Sequence, residues 1–202
     1  MITEIKLHNP GVLMKTLDAD VFEDLKKDIE AIVSKKSYIL KSQRMNNRLA
    51  GHLENSYNYF PKENLKNFLK QYVNEYCDYF DVPSMKQIIQ ADSWINVQKK
   101  YEFNPLHIHD GVLSWVAWIN VPYSLEDEDE YSNSKKSNGS CNSRFYFNYN
   151  RYTGDVGSKQ LDIDKTFEGK IILFPATLYH GVYPFYTSDD LRISVAGNFT
   201  RP

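Results

Sequence analysis

Val112-Leu-Ser-Trp-Val-Ala-Trp-Ile-Asn-Val121 is almost unbroken in its apolar character and stops at Pro122. A short apolar run rich in β-branched and aromatic residues, closed by a proline, suits a strand covered on both faces. Its surroundings have the same style. Gln87 to Lys99 holds Ile88, Ile89, Trp94, Ile95 and Val97, Arg144 to Tyr149 alternates aromatic and polar residues, and Gly169 to Pro175 is short and apolar. Val182 to Tyr186 and Leu191 to Thr200 bracket the turn cluster Thr187-Ser-Asp-Asp190.

The first part of the chain reads differently. Over residues 18–34, Val21, Phe22, Leu25, Ile29, Ile32 and Val33 recur at helical spacing behind the capping candidates Asp18 and Asp20. Residues 61–80 repeat the pattern, with Pro61 at the start and Leu65, Phe68, Leu69, Tyr72, Val73 and Tyr76 on one side. Residues 38–59, which contain Asn46-Asn47, Gly51 and His52, read as a loop or weak hairpin. The acidic, then Ser/Asn/Lys-rich stretch Glu126 to Asn142 reads as a mobile surface excursion. No internal repeat is visible. Helices first and many short strands afterwards predict an α+β, mainly β chain whose strand-rich part closes as a jelly roll or sandwich. Periodicity does not separate a jelly roll from other sandwiches. A single domain over 1–202 is expected, with 1–85 as its helical part and 86–202 as the strand-rich core.

Hydrophobic residues at 42% and charged residues at 25% describe a soluble globular balance. A net charge of −2 implies no basic face for nucleic acid. No stretch approaches ~18 uninterrupted apolar residues, so no membrane span is expected. Two cysteines, Cys77 and Cys141, make neither a disulfide framework nor a zinc motif. With no signal peptide at Met1-Ile-Thr-Glu-Ile-Lys-Leu-His, the cytoplasm is the default location. Richness in Lys, Asn, Tyr and Ile fits an AT-rich genome, such as that of a phage or marine microbe, in which case the compartment is the host cytoplasm.

The chemistry lies in Asn104-Pro-Leu-His107-Ile-His109-Asp110-Gly111 and in Phe174-Pro-Ala-Thr-Leu-Tyr-His180-Gly181. On a strand, residues i and i+2 share a face, so His107 and His109 can bind one ion together. A third ligand from a distant strand, His180, completes one face of an octahedron and leaves positions open, as oxygen chemistry at non-haem Fe(II) requires. Asp110 is off register for that face; a bulge could return it as an alternative ligand. Along Leu191 to Phe199, Arg192, Ser194, Ala196 and Asn198 form a small polar face opposite a large apolar one. A guanidinium there could hold a carboxylate by two hydrogen bonds, with Ser194 adding a third. His8 and His52 stand outside any such constellation and read as surface residues.

These segments, together with Ser114, Leu173-Phe174-Pro175, Pro184 and Asn198, resemble the 2-oxoglutarate/Fe(II)-dependent oxygenases of marine bacteria and tailed phages of cyanobacteria. The resemblance covers roughly residues 90–202 and is most specific from Phe174 to Asn198. It implies a double-stranded β-helix, a jelly roll with flanking helices. It further implies His107 and His180 as iron ligands, and Arg192 with Ser194 on the distal carboxylate of 2-oxoglutarate. The activity implied is a hydroxylase that couples decarboxylation of 2-oxoglutarate to oxidation of a small molecule or protein side chain by O2. Such families usually carry His-X-Asp or His-X-Glu, and here His109 takes the carboxylate's position. A three-histidine centre of His107, His109 and His180 is therefore the preferred set, with Asp110 as the alternative. A neutral third ligand leaves the iron more positive and changes its potential.

Asn96 or Gln98, alternating with Trp94 beside the His107 segment, could hydrogen-bond the co-substrate. Tyr146, Asn148, Tyr101 and Tyr179 are candidate lining residues, and Trp115 and Trp118 read as core. Two other readings remain open at this point: a three-histidine cupin-type dioxygenase that does not use 2-oxoglutarate, and a non-enzymatic jelly-roll binding module.

Overall fold

A computed structural model describes residues 11–34, 50–131, 135–151 and 153–202. His8, Asn46 and Asn47 lie outside the described residues. Among the described residues, ten strands form two antiparallel sheets. The six-stranded sheet contains β1 (Leu13–Thr16), β2 (Asn55–Asn58), β3 (Ile89–Gln98), β5 (Leu113–Asn120), β8 (Lys170–Pro175) and β10 (Arg192–Thr200), in the order β1-β8-β5-β10-β3-β2. The four-stranded sheet contains β4 (Asn104–His107), β6 (Phe145–Asn150), β7 (Val156–Leu161) and β9 (Tyr179–Val182), in the order β4-β9-β6-β7. Among the described residues no helix is long and apolar enough to cross a membrane.

The apolar run at Val112–Val121 becomes β5, flanked by β8 and β10 in the large sheet. Its odd-numbered residues Leu113, Trp115, Ala117 and Ile119 turn outward, with Ile95, Val97, Ile171, Leu173 and Val195 beside them. Helices α1 (Ala19–Val33) and α2 (Glu63–Tyr79) cover this face through Val21, Leu25, Ile29, Leu65, Leu69 and Val73. Its even-numbered residue Trp118 turns inward and packs with Ile172, Phe174, Phe145 and Phe147 between the sheets. Burial of each such large side chain contributes about 1.5–3 kcal/mol, so apolar residues are needed on both faces and alternation is lost. Tyr72 and Tyr76 of α2 donate their hydroxyls to the carbonyls of Leu13 and Gly11, both at 2.7 Å, and so fasten β1 to the helical layer.

Three expectations need correction. The stretch read as a loop or weak hairpin holds β2, an edge strand paired with β3. Its sequence Asn-Ser-Tyr-Asn lacks the apolar alternation of an interior strand, which an edge position does not require. Val182 to Tyr186 is not a strand: β9 ends at Val182, two residues before Pro184. The acidic stretch is also not simply an excursion, because Leu125–Glu130 forms a short helix, α3, capped by Ser124, whose hydroxyl accepts from the Asp127 amide. Glu128 within it has 0% exposure.

Candidate active site

His107 and His180 are direct cross-strand partners in the β4–β9 pair. His109 lies just past the end of β4, and its amide donates to the carbonyl of Ala176 at 2.9 Å. The ligand-capable atoms of the three histidines lie within 4.8 Å of one another, and His180 is buried. His107 and His180 each place Nδ1 against a backbone carbonyl, that of Pro105 at 2.7 Å and of Leu178 at 2.8 Å. A carbonyl only accepts, so Nδ1 carries the proton and Nε2 keeps its lone pair for the centre.

Burial lowers the pKa of all three imidazoles. It pushes His180 down to about 3 and His109 to about 4, in each case with repulsion from His107 adding to the effect. For His107 burial also dominates, opposed by the Pro105 carbonyl. Neutral imidazoles are the form that binds a metal. Three such donors on one side, with no fourth protein ligand among the described residues, fit a divalent iron that keeps open positions. Phe145 stacks on His180 at an interplanar angle of 8°, and Trp94 lies 5.1 Å from His109 between ring centroids, so the donors are held by apolar walls.

The turn after His109 depends on Gly111. Its φ is +112°, and a Cβ there would sit 2.6 Å from the Phe199 carbonyl oxygen. Gly111→Ala is expected to cost about 1–3 kcal/mol and to shift His109. Thermal melting should show a loss of several degrees, at roughly 2–4 °C per kcal/mol for a chain of this size. A melt like that of the parent protein would mean the turn accommodates a side chain.

From the histidines the cavity runs along the shared inner face of the paired strands β3 and β10. Trp94 pairs with Ala196, Asn96 with Ser194 and Gln98 with Arg192, so Arg192 lies about 13 Å of strand beyond Trp94. Trp94, Asn96, Gln98, Trp118, Ser194 and Arg192 all line this cavity together with the three histidines. The polar face predicted on β10 thus points inward.

Arg192 is 3% exposed. Its Nε donates to Gln98 Oε1 at 3.1 Å, Nη1 to the Tyr123 hydroxyl at 2.6 Å and the Ser143 carbonyl at 2.8 Å, and Nη2 to the Tyr183 carbonyl at 3.0 Å. All four acceptors are neutral. Tyr123, whose hydroxyl burial holds protonated, and Phe185 also face the guanidinium with their rings. A buried positive charge facing only dipoles and rings favours an anion beside it.

The other sequence candidates are distributed around this cavity. Asn96 lines it and accepts from Ser56 Oγ at 3.1 Å. Asn198 shares the face of Arg192, but its carbonyl oxygen accepts from Ser114 Oγ at 2.7 Å, and it is not among the lining residues. Asp110 is exposed and outside the histidine cluster. Tyr101 and Tyr179 are exposed, and neither they, Tyr146 nor Asn148 line this cavity. Trp115 belongs to the helix-side core, whereas Trp118 is both core and cavity wall. Tyr123 and the carbonyls of Ser143 and Tyr183 escaped the sequence reading. A lone tyrosine after Pro122 carries no motif, and a backbone carbonyl leaves no residue-type signal.

The 2OG-Fe(II) oxygenase family model matches residues 92–198. No curated protein matches the chain by sequence. Several solved structures resemble it in fold. A Pseudomonas putida prolyl-4-hydroxylase is 13% identical, with a TM-score of 0.62 over 95% of this chain and 93% of that one. The viral collagen prolyl hydroxylase of Paramecium bursaria Chlorella virus-1, solved as a 2-oxoglutarate complex, is 11% identical, with a TM-score of 0.54 over 93% and 94%. A prolyl hydroxylase in complex with a hypoxia-inducible-factor peptide fragment, from Trichoplax adhaerens, is 11% identical, with a TM-score of 0.51 over 95% and 84%. At these identities the likeness establishes the fold, a double-stranded β-helix. The family match spans more than half of the sequence and encloses both histidine segments and Arg192, and the chain belongs to the 2OG-Fe(II) oxygenases, oxidoreductases that depend on iron and 2-oxoglutarate.

Proposed function

We propose that His107, His109 and His180 hold the iron, and that Arg192, flanked by Ser194 and Asn96, receives the distal carboxylate of 2-oxoglutarate. The observation that carries this reading is the buried guanidinium with only neutral partners, in the same cavity as the three imidazoles. Four of its five N–H groups are already engaged, so a carboxylate meets the remaining Nη2–H and a fixed charge rather than a free two-pronged fork. Ser194 sits two residues along the same face to add a second donor. When bound, iron activates O2 and 2-oxoglutarate supplies the electrons. The protein's own part is to position the co-substrate, keep the three imidazoles neutral and exclude water with Trp94, Trp118 and Phe145.

We further propose that the reaction is hydroxylation of an unactivated C–H, on a peptide side chain such as proline or on a free amino acid. The prolyl hydroxylases among the fold's neighbours support this. The test is anaerobic Fe(II) titration with and without 2-oxoglutarate, then exposure to air. One iron per chain is expected, with a weak visible charge-transfer band that needs 2-oxoglutarate, and succinate formed in air. Prolyl peptides and free L-proline are then offered, with gain of one oxygen read by mass. Absence of both band and succinate overturns the iron and co-substrate assignment.

A further inference from the structure

We infer that Glu128, on the acidic stretch outside the cavity, is a positioning residue for the co-substrate's carboxylate site; this rests on Arg192 being its anchor. The guanidinium of Arg192 is aimed by acceptors from three separate segments. Tyr123 precedes α3, Ser143 follows the excursion, and Tyr183 follows β9. The Ser143 and Tyr183 acceptors lie just past the paired ends of β6 and β9.

Glu128 ties them together. Its carboxylate, with no exposure, accepts from the amide of Tyr186 at 2.9 and 3.1 Å, from the amide of Thr187 at 2.8 Å and from the Thr187 hydroxyl at 2.6 Å. Its backbone carbonyl accepts from Asn142 Nδ2 at 2.8 Å. Asn142 adjoins Ser143, which is held at a φ of +62° and donates its amide to the Pro184 carbonyl at 2.8 Å. The Tyr183 amide in turn donates to the Arg144 carbonyl at 2.9 Å. The Glu128 side chain therefore joins α3 to the Tyr183–Thr187 segment, while its backbone carbonyl ties α3 to the Asn142–Arg144 segment, and three of the four acceptors of Arg192 belong to these segments or, as with Tyr123, adjoin α3. A carboxylate is costly to bury, and it is tolerated here because several donors converge on it. Of the five consecutive acidic residues 126–130, Glu128 alone is buried. The stretch that reads as a solvated surface run thus contributes a keystone to the co-substrate site.

The experiment uses the full chain loaded with Fe(II) under anaerobic conditions, with 2-oxoglutarate as the probe. Its Kd is read from the charge-transfer band, and KM and kcat are read from uncoupled succinate formation. Glu128→Gln keeps the shape but weakens the acceptor. It is expected to raise the Kd and KM for 2-oxoglutarate about tenfold, as loss of a supporting partner does at other sites, with kcat at saturation and Fe(II) affinity near those of the parent. Ile29→Val, in the helical layer, lowers stability without touching the network and is expected to leave the Kd unchanged. Should Glu128→Gln not fold, Thr187→Val carries the test, with about a threefold rise expected from loss of one hydrogen bond. A parental Kd in the folded variant, a rise matched by Ile29→Val, or a parallel loss of Fe(II) affinity overturns the inference. Arg192→Ala is measured alongside. An unchanged Kd there sinks the anchor assignment itself, whereas a raised Kd there with none for Glu128→Gln sinks only the role of Glu128.

Discussion

Replacing His180 by Ala is expected to leave the protein folded, unable to retain iron and without succinate formation. His180 is the most enclosed of the three donors, backed by Phe145 and Phe174, with its Nδ1 fixed by the Leu178 carbonyl. Its loss leaves two imidazoles, and no other His, Cys, Asp or Glu among the described residues joins the cluster. Removing only a supporting hydrogen-bond partner of a metal ligand costs about 10–100-fold in affinity or activity, so removing the ligand is expected to exceed about 100-fold. Metal analysis of anaerobically purified protein, with circular dichroism as the check on folding, reads this directly. Asp110→Ala is the contrasting variant. Asp110 is exposed and outside the cluster, so iron content and turnover are expected to match the parent. Iron loss in Asp110→Ala with retention in His109→Ala would reverse the ligand assignment.

Arg192→Ala is expected to raise the KM for 2-oxoglutarate by about 100-fold or more. Truncating one partner of a buried, hydrogen-bonded charge pair costs about 2–5 kcal/mol, and a buried guanidinium facing a carboxylate is such a pair. The variant is also expected to lose stability, because the Tyr183 carbonyl and the Tyr123 hydroxyl lose their donor and the Ser143 carbonyl keeps only the longer bond from Tyr123. Each orphaned buried group costs about 1–3 kcal/mol unless water replaces the guanidinium. Arg192→Lys separates the two effects. It keeps the charge but not the four-way geometry, so an intermediate KM is expected with a similar loss of stability. Steady-state succinate formation against 2-oxoglutarate concentration, with a thermal melt of each variant, gives both numbers. A KM within twofold of the parent for Arg192→Ala would mean that the carboxylate binds elsewhere.

Much of this site was legible in the residue order. His-X-His and the distant His180-Gly181 pointed to the three imidazoles that the fold brings together, because a two-residue strand period puts His107 and His109 on one face and an apolar approach strand carries His180 inward. The small polar face of Arg192, Ser194, Ala196 and Asn198 left solvent and a pocket as the two places it could turn to, and its first three residues line the cavity. The helices came from spacing alone and end within two residues of expectation. The central strands β3, β5, β6, β8 and β10 were equally plain, whereas β1, β2 and β7, which lie at sheet edges, were not read as strands.

What determines the chemistry's lower wall was not legible. Asn198 has the right face and the wrong depth, since Ser114 takes its oxygen. Two of the four acceptors of Arg192 are backbone carbonyls, which any residue order could supply, and the tyrosine hydroxyl of Tyr123 stands in no motif. Glu128 looks in sequence like its four acidic neighbours.

Residue order by itself determined the helical layer, the strand-rich second half and the imidazoles on offer, because these follow from local periodicity and from donor chemistry that few side chains possess. Only the tertiary structure decided which acidic residue is buried, how the guanidinium is aimed and that Asp110 stands apart from the three clustered histidines. Those outcomes depend on which distant backbone groups come within hydrogen-bonding reach, and chain folding sets that in three dimensions rather than by residue type.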